Sequence, residues 1–488
     1  MFCPYPLEYR EGACLLPTDL LLQGKDPFDL SNNPQSTNIY GIFYNLLVFP
    51  LAKIWGPTLL LHRLVTGFFV LACCFIVVAV LRKNKLPWLL SLAGGMTLYP
   101  FLLFPATGTP LVGPQSLGMF LFLMTFFVPY FYNYSKTSLC ISLFLGILAF
   151  YSKQYFLLGV PLTASYIFLF KSKNKGILYG TGFLFFFALS VVIANRVMNC
   201  YFNNVLFAPY NAVTNICGLT VANSISQLNN FYQLQKPLFF LIGIYFIVQG
   251  IVYIKDFKDI SFKYFPKIDL FSWKEPLLKW DFDIALYGLI ITSLTVYFIL
   301  GRNNGNYMTY LFQLMSPFFI LYIFTCLYRQ LLVTFVGMIL IIMTLFSLTS
   351  SYSRDFHELD ENWKAVESLI ATYPNIFASP LLVPLLVKYH RPVYDSGHSE
   401  YFHAGRDRKL LNIVFPDSPE IENRNMAHWQ DVWDMVVHKK FDLLIILSDY
   451  HPFLPNMCAL YYRPVAAVKL HNFFCAAQDY TYIILVPK

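Results

Sequence analysis

Glu8 and Glu11 stand together in the stretch Pro6-Leu7-Glu8-Tyr9-Arg10-Glu11-Gly12, a polar, acidic segment ahead of the first long apolar run. A carboxylate near a bilayer surface acts as a general base once burial lifts its pKa toward the working pH. Asp26, in Gly24-Lys25-Asp26-Pro27-Phe28, sits in a turn signal and reads equally well as an Asx-turn residue. Asp19 and Asp29 read as solvated loop acids. The cations that would complement an anionic substrate are Lys153 between two apolar runs, His62 and Arg63 at the start of the first run, and Arg302 in a late loop. A lysine near the middle of a membrane costs about 2.5–3.5 kcal/mol on insertion scales, so Lys153 either snorkels to the surface or holds an anion. Arg grips phosphate with two donors. His398 and His403, with Asp395 and Glu400, suggest a metal cluster, but the four-residue gap between the two histidines needs a third ligand. No metal site is therefore assigned, although a divalent ion is compatible, and the loop Tyr394–His398 is equally suited to an acceptor site.

The elements that position these groups are mostly apolar. Of 488 residues 57% are hydrophobic and 13% charged, against roughly a quarter charged in soluble domains, which predicts a polytopic α-helical membrane protein. Runs near 58–81, 86–105, 114–132, 138–152, 154–170, 176–195, 235–254, 284–300, 309–327 and 331–349 give about ten spans. The fourth and fifth are short and predict a tight hairpin or half-helices around Lys153. Residues 38–55 read as an interfacial helix broken at Pro50.

Alternating spans place Arg82, Lys83, Lys85, Lys136, Lys171, Lys173, Lys175, the lysines of 255–279 and Arg329 on one side, which makes that side cytoplasmic. The formal charge of +8 is thus explained by the loops and not by nucleic acid. Both termini, the 1–57 segment, the Lys153 turn and everything after 350 fall outside, in the periplasm of an inner-membrane protein. A chain starting outside, with no earlier span, predicts a further transmembrane helix upstream of Met1. The division expected is 1–57 as external loop and interfacial helix, 58–350 as transmembrane domain, and 351–488 as a small external α/β domain. In the last of these, Leu359, Trp363, Val366 and Ile370, and again Trp429, Val432, Trp433 and Val436, mark helix faces. Strand-like runs lie at 410–415, 441–447, 465–470 and 480–487. The ten cysteines form no CxxC pair and give no redox compartment.

The acidic pair followed by Gly12, the turn Leu22-Gln23-Gly24-Lys25-Asp26-Pro27-Phe28, and Asn38-Ile39-Tyr40-Gly41-Ile42-Phe43-Tyr44 with Pro50-Leu51 resemble the first external loop of bacterial GT-C glycosyltransferases, relatives of the protein mannosyltransferases and family 39 lipid-sugar transferases. Ser152-Lys153-Gln154 resembles that superfamily's S-K-Q turn, and Gly301-Arg302-Asn303-Asn304-Gly305-Asn306-Tyr307 its late external loop. The resemblance covers roughly 5–350 and extends loosely to the external C-terminal domain. It departs at Gly41-Ile42, where prolines are usual, and at Gln115, where many relatives carry an acid.

The resemblance implies an inverting transfer of a sugar from a polyprenyl-phosphate donor to a glycan, lipid or protein acceptor at the outer face of the bilayer. It implies Glu11 as the base with Glu8 as its partner. Lys153, Gln154, Arg63, His62, Arg302, Asp26 and Tyr307 become substrate-binding candidates. The alternative is a lipid or polysaccharide transporter or flippase, but such proteins tend to show internal repeats, and none is evident.

Overall fold

The computed structural model describes residues 3–103, 112–198, 200–207, 275–278, 283–295, 306–327, 357–399, 419–448, 455–472 and 478–488. The expected spans at 235–254 and 331–349, the strand at 410–415, and Arg302, Glu400 and His403 lie outside them. The described chain is mostly helical, with one small sheet.

The first surprise is local. The segment expected to be a polar loop is a helix, α1 (Tyr9–Leu22), followed by α2 (Phe43–Trp55). α1 is buried on nearly all sides, from Arg10 through Thr18, so it has no solvent face for a 3.6-residue pattern to reveal. Pro17 removes one backbone donor from α1. Asn45 of α2 binds the same stretch, donating to Cys14 O at 2.7 Å and Thr18 Oγ1 at 2.9 Å. α2 runs through Pro50 without breaking. Leu46 and Pro50 are both exposed there, and a helix tolerates a lost bond best on its outer face.

The helical layer continues with α3 (Leu59–Lys83), α4 (Trp88–Leu103), α5 (Gln115–Phe131), α6 (Lys136–Ser152), α7 (Gly159–Phe170), α8 (Lys173–Val197), α9 (Ile284–Thr295) and α10 (Asn306–Leu327). Thr58, Ser135 and Ser172 cap α3, α6 and α8 by accepting backbone N–H groups with their hydroxyls. One apolar core, including Phe122, Phe126, Tyr166, Phe318 and Phe324, joins α3, α4, α5, α7, α9 and α10. As the two short runs predict, α6 stops at Ser152. Lys153 is extended, Gln154–Leu158 forms a 3-10 turn, and α7 follows. Two described helices, α3 and α8, are long and apolar enough to cross a membrane by length and composition.

The sheet has the order β1 (Ile376–Ala378), β2 (Leu443–Leu447), β4 (Gln478–Pro487), β3 (Tyr462–Asn472). β1 and β2 are parallel, which requires a crossover. The chain between them contains α12 (Val383–Lys388) and α13 (Pro419–Val437). β4 pairs antiparallel with both neighbours. α11 (His357–Thr372) precedes the sheet and buries Trp363, Val366 and Ile370, three residues of the expected face.

α1 joins the two parts. One side packs on α2 and α3, the other on the 3-10 turn Pro380–Leu382 and on α12. Gly12 permits this approach, because a Cβ there would come within 2.7 Å of Val383 Cβ. The residues before α1 continue the seam. Tyr5 stacks on Trp363 with ring centroids 5.2 Å apart and belongs to the apolar core of the sheet.

Candidate active site at the helix–sheet seam

Glu8 is the extended residue just ahead of α1. The side chain of Arg10 folds back on it, Nε and Nη2 both donating to Oε2 at 2.9 and 2.5 Å. The other oxygen, Oε1, is buried and has no hydrogen-bond partner among the described residues. Burial pushes the Glu8 carboxyl up to about 7, aided by nearby Glu11 and opposed by Arg10 and Lys153. A carboxyl held there, with one lone oxygen, has the proton affinity a general base needs near neutral pH.

Glu11 is in a different state. Arg63 of α3 grips it with a fork, Nε to Oε1 at 2.9 Å and Nη2 to Oε2 at 2.7 Å, and Leu7 N–H adds a bond to Oε2 at 2.8 Å. Both side chains are wholly buried. Arg63 gives two of its remaining three donors to the carbonyls of Cys3 and Tyr5. Glu11, expected as the first base, and Arg63, expected as a phosphate clamp, are bound to each other in this pair. Each group is consumed by the other, and together they tie the N-terminal segment to α3.

Lys153, extended between α6 and the 3-10 turn, reaches the same seam. Its Nζ donates to Gln115 Oε1 at 3.0 Å and lies 4.8 Å over the Tyr40 ring and 5.2 Å over that of Tyr155. Burial pushes it down to about 7, the charge of Arg10 adding to this and Glu8 opposing it. Gln115, at the head of α5, is a junction. Its Oε1 also accepts from Tyr155 Oη at 2.5 Å, and its Nε2 donates to Gln313 Oε1 of α10 at 2.7 Å.

The sheet side contributes His398, which is buried and lies edge-on to Tyr40 (5.6 Å) and to Tyr9 (6.0 Å). Burial first, then the charges of Arg10 and Lys153, push its pKa down to about 3, so the imidazole is neutral. Its loop is built tightly. Asp395 accepts from Gly397 N and Ser399 Oγ, both at 2.8 Å, and Ser396 Oγ donates to Thr37 O at 2.9 Å.

The other expected residues are elsewhere. His62 Nδ1 lies 3.2 Å from Tyr44 Oη. Gln154 Nε2 donates to Val205 O. Asp26 accepts from Phe28 N–H at 2.9 Å, as an Asx-turn does. Tyr307 falls in the first turn of α10, and Arg302 lies outside the described residues. Among the described residues, no group of three or more His, Cys, Asp or Glu is placed to hold a metal ion.

Arg10, Tyr40, Gln115 and Tyr155 were not singled out as functional by residue type. Arg10 had a signal: a cation between two carboxylates in Glu8-Tyr9-Arg10-Glu11. Beside the cluster, an apolar groove of about 670 Å³ runs between the 3-10 turn, α7 and α8, lined by Leu157, Val160, Pro161, Ala164, Phe183 and Leu184 among others. Gln154 and Tyr155 also line it, so Tyr155 touches both the groove and Gln115. No family model, no curated protein and no solved structure matches the chain.

Proposed function

We propose that this chain is a polytopic inner-membrane glycosyltransferase of GT-C type, which moves a sugar with inversion from a polyprenyl-phosphate donor to an acceptor hydroxyl at the external face. The observation that carries this reading is the pairing of a buried charged cluster with an apolar groove, through Tyr155 and Gln115. A lipid phosphate has the same two-part chemistry: an apolar chain and an anionic head.

Arg10 and Lys153 set two cations against the single carboxylate of Glu8, and their mutual repulsion is relieved when a phosphate enters. Glu8 Oε1 takes the proton from the acceptor hydroxyl. The acceptor oxygen then forms its bond to the anomeric carbon as the carbon–oxygen bond to the lipid phosphate breaks, and the bonding pair leaves with the phosphate. Arg10 and Lys153 stabilise the charge that develops there. Glu11 and Arg63 hold the segment that carries Glu8.

The membrane part of the reading is supported by exposed apolar faces. On α3, Leu60, Leu64, Phe68, Leu71 and Phe75 form one stripe, and on α8 Leu178, Leu184, Phe185, Leu189 and Val192 are exposed in the same way.

The test is transfer by purified protein in lipid, with a polyprenyl-phosphate sugar as donor, comparing wild type with Glu8→Gln. The variant is expected to insert and bind donor but to lose on the order of a hundredfold or more in turnover, the size of a lost general base. Unimpaired transfer by Glu8→Gln would remove Glu8 as base. Unchanged lipid-linked sugar and glycan profiles in a clean deletion strain would count against the enzyme as such.

A further inference from the structure

The Lys153 ammonium rests on the Tyr40 ring, and a second neighbour of that ring comes from another part of the chain. His398 is carried by the sheet domain, yet its imidazole stands perpendicular to Tyr40 at 5.6 Å. The three groups form a series across the seam: His398, Tyr40, Lys153. The loop holding His398 admits little freedom. Gly397 has φ +92, and a Cβ there would come within 2.8 Å of Tyr9 Cδ2 and 3.0 Å of Pro380 Cβ. Ser396 is bonded to Thr37, three residues before Tyr40, so the loop and the Tyr40 segment are fixed to each other as well.

We infer that His398 is a positioning residue that acts through Tyr40 on Lys153, so that the sheet domain completes the lipid-phosphate site from the far side of α1. This rests on the reading of Lys153 as a phosphate ligand given above. The charged and titratable groups facing His398 and Tyr40 are Glu8, Tyr9, Arg10 and Cys14 of the N-terminal segment and Lys153 from the end of α6. A neutral ring suits the position, because a cation there would add to the repulsion between Arg10 and Lys153. Packing, with a hydrogen bond to the Thr37 backbone, and not proton transfer is therefore the role, and a phenyl ring should supply the packing that acts on Tyr40.

The experiment measures binding of a short prenyl monophosphate to the full chain in lipid nanodiscs, with inorganic phosphate as a second probe to separate head-group from chain recognition. His398→Ala is expected to weaken prenyl phosphate binding roughly three- to thirtyfold, which falls inside the range for residues coupled by contact. His398→Phe should bind almost as wild type does. In a Lys153→Met background, His398→Ala should change nothing further, because the residue through which it acts is gone. Affinity should fall as pH rises through neutrality, where Lys153 loses its proton, and His398→Ala should move that fall to higher pH by letting water reach the ammonium.

A Lys153→Met loss with unchanged binding by His398→Ala would overturn this inference and leave the phosphate reading standing. So would additive effects of the two substitutions, or a His398→Phe variant that folds normally and binds as poorly as His398→Ala. Absence of prenyl phosphate binding by the wild type would overturn both.

Discussion

Two glutamates three positions apart have opposite characters because of which arginine each meets. Glu11 is gripped by a fork from Arg63, with every oxygen and nearly every guanidinium donor used. Glu8 offers Arg10 one oxygen and keeps the other. Removing half of a buried ion pair strands the remaining charge, at a cost of about 3–5 kcal/mol. Glu11→Gln should therefore lower the thermal unfolding midpoint sharply, and Glu11→Leu with Arg63→Met should recover much of that loss. Glu8→Gln, which leaves Arg10 buried against an amide in place of its carboxylate, should lower the midpoint less than Glu11→Gln does, because the Glu8 carboxyl is itself raised to about 7, and should remove turnover. A catalytic Glu11 would give the reverse result: intact folding and lost activity in Glu11→Gln. The sequence made the acids visible by type and neighbourhood, but not their ranking. That depends on Arg63, which is distant in the chain and meets Glu11 only after α1 has packed on α3. The proposed transfer, with Glu8 as its base and Lys153 as its phosphate cation, would also carry a pH signature at this scale. With Glu8 at about 7, the base is lost as pH falls below neutrality. With Lys153 at about 7, the phosphate cation is lost as pH rises above it. The kcat/KM profile should be a narrow bell centred near pH 7, reporting the two groups jointly.

Among the elements, α1 is the one that sequence patterning conceals. A helix between two layers has no polar stripe, contains Pro17, and places charges at buried positions. All of these resemble a loop when read from composition. The Ser152-Lys153-Gln154 break was legible for the opposite reason: two apolar runs too short to span on their own flank a polar turn, which fixes where the helix stops. The faces of α11 and strands β2, β3 and β4 were legible as well, since their patterns report burial on one side or in a sheet. Which surfaces the sheet would face was not, because no local pattern encodes a contact between residues 12 and 383. The glycine at that contact gives a test. Gly12→Val places a branched side chain where Val383 Cβ already stands at 2.7 Å. It should cost about 1–3 kcal/mol, as overpacking does, and should open the seam to limited proteolysis sooner than the helical layer. Equal protease resistance in wild type and variant would show that α1 and α12 are not held in this contact.

At the scale of the whole molecule, the helical layer and the sheet are joined through buried ionisable groups, so the strength of the joint depends on pH. His398 binds protons less well folded than unfolded, about 3 against 6.5. Between those values the unfolded chain holds the extra proton, so His398 contributes stability that is present above 6.5 and is lost as pH falls toward 3. Glu8 has the opposite sign. Its folded value of about 7 exceeds 4.5, so the folded chain holds the extra proton in that window, and stability falls as pH rises from 4.5 to 7. The contributions oppose each other between 4.5 and 6.5, and only that of His398 continues below. Other carboxyls titrate in the same region, which makes differences between variants the proper measurement. Thermal midpoints across pH 3–8 should show wild type losing stability relative to His398→Phe on acidification, by up to roughly 1.4 kcal/mol per pH unit for one proton. Relative to Glu8→Gln, wild type should lose stability as pH rises through the same middle range. Parallel curves for wild type and His398→Phe would mean that the imidazole is not buried in the folded protein, and the sheet would then not be seated on α1 as described.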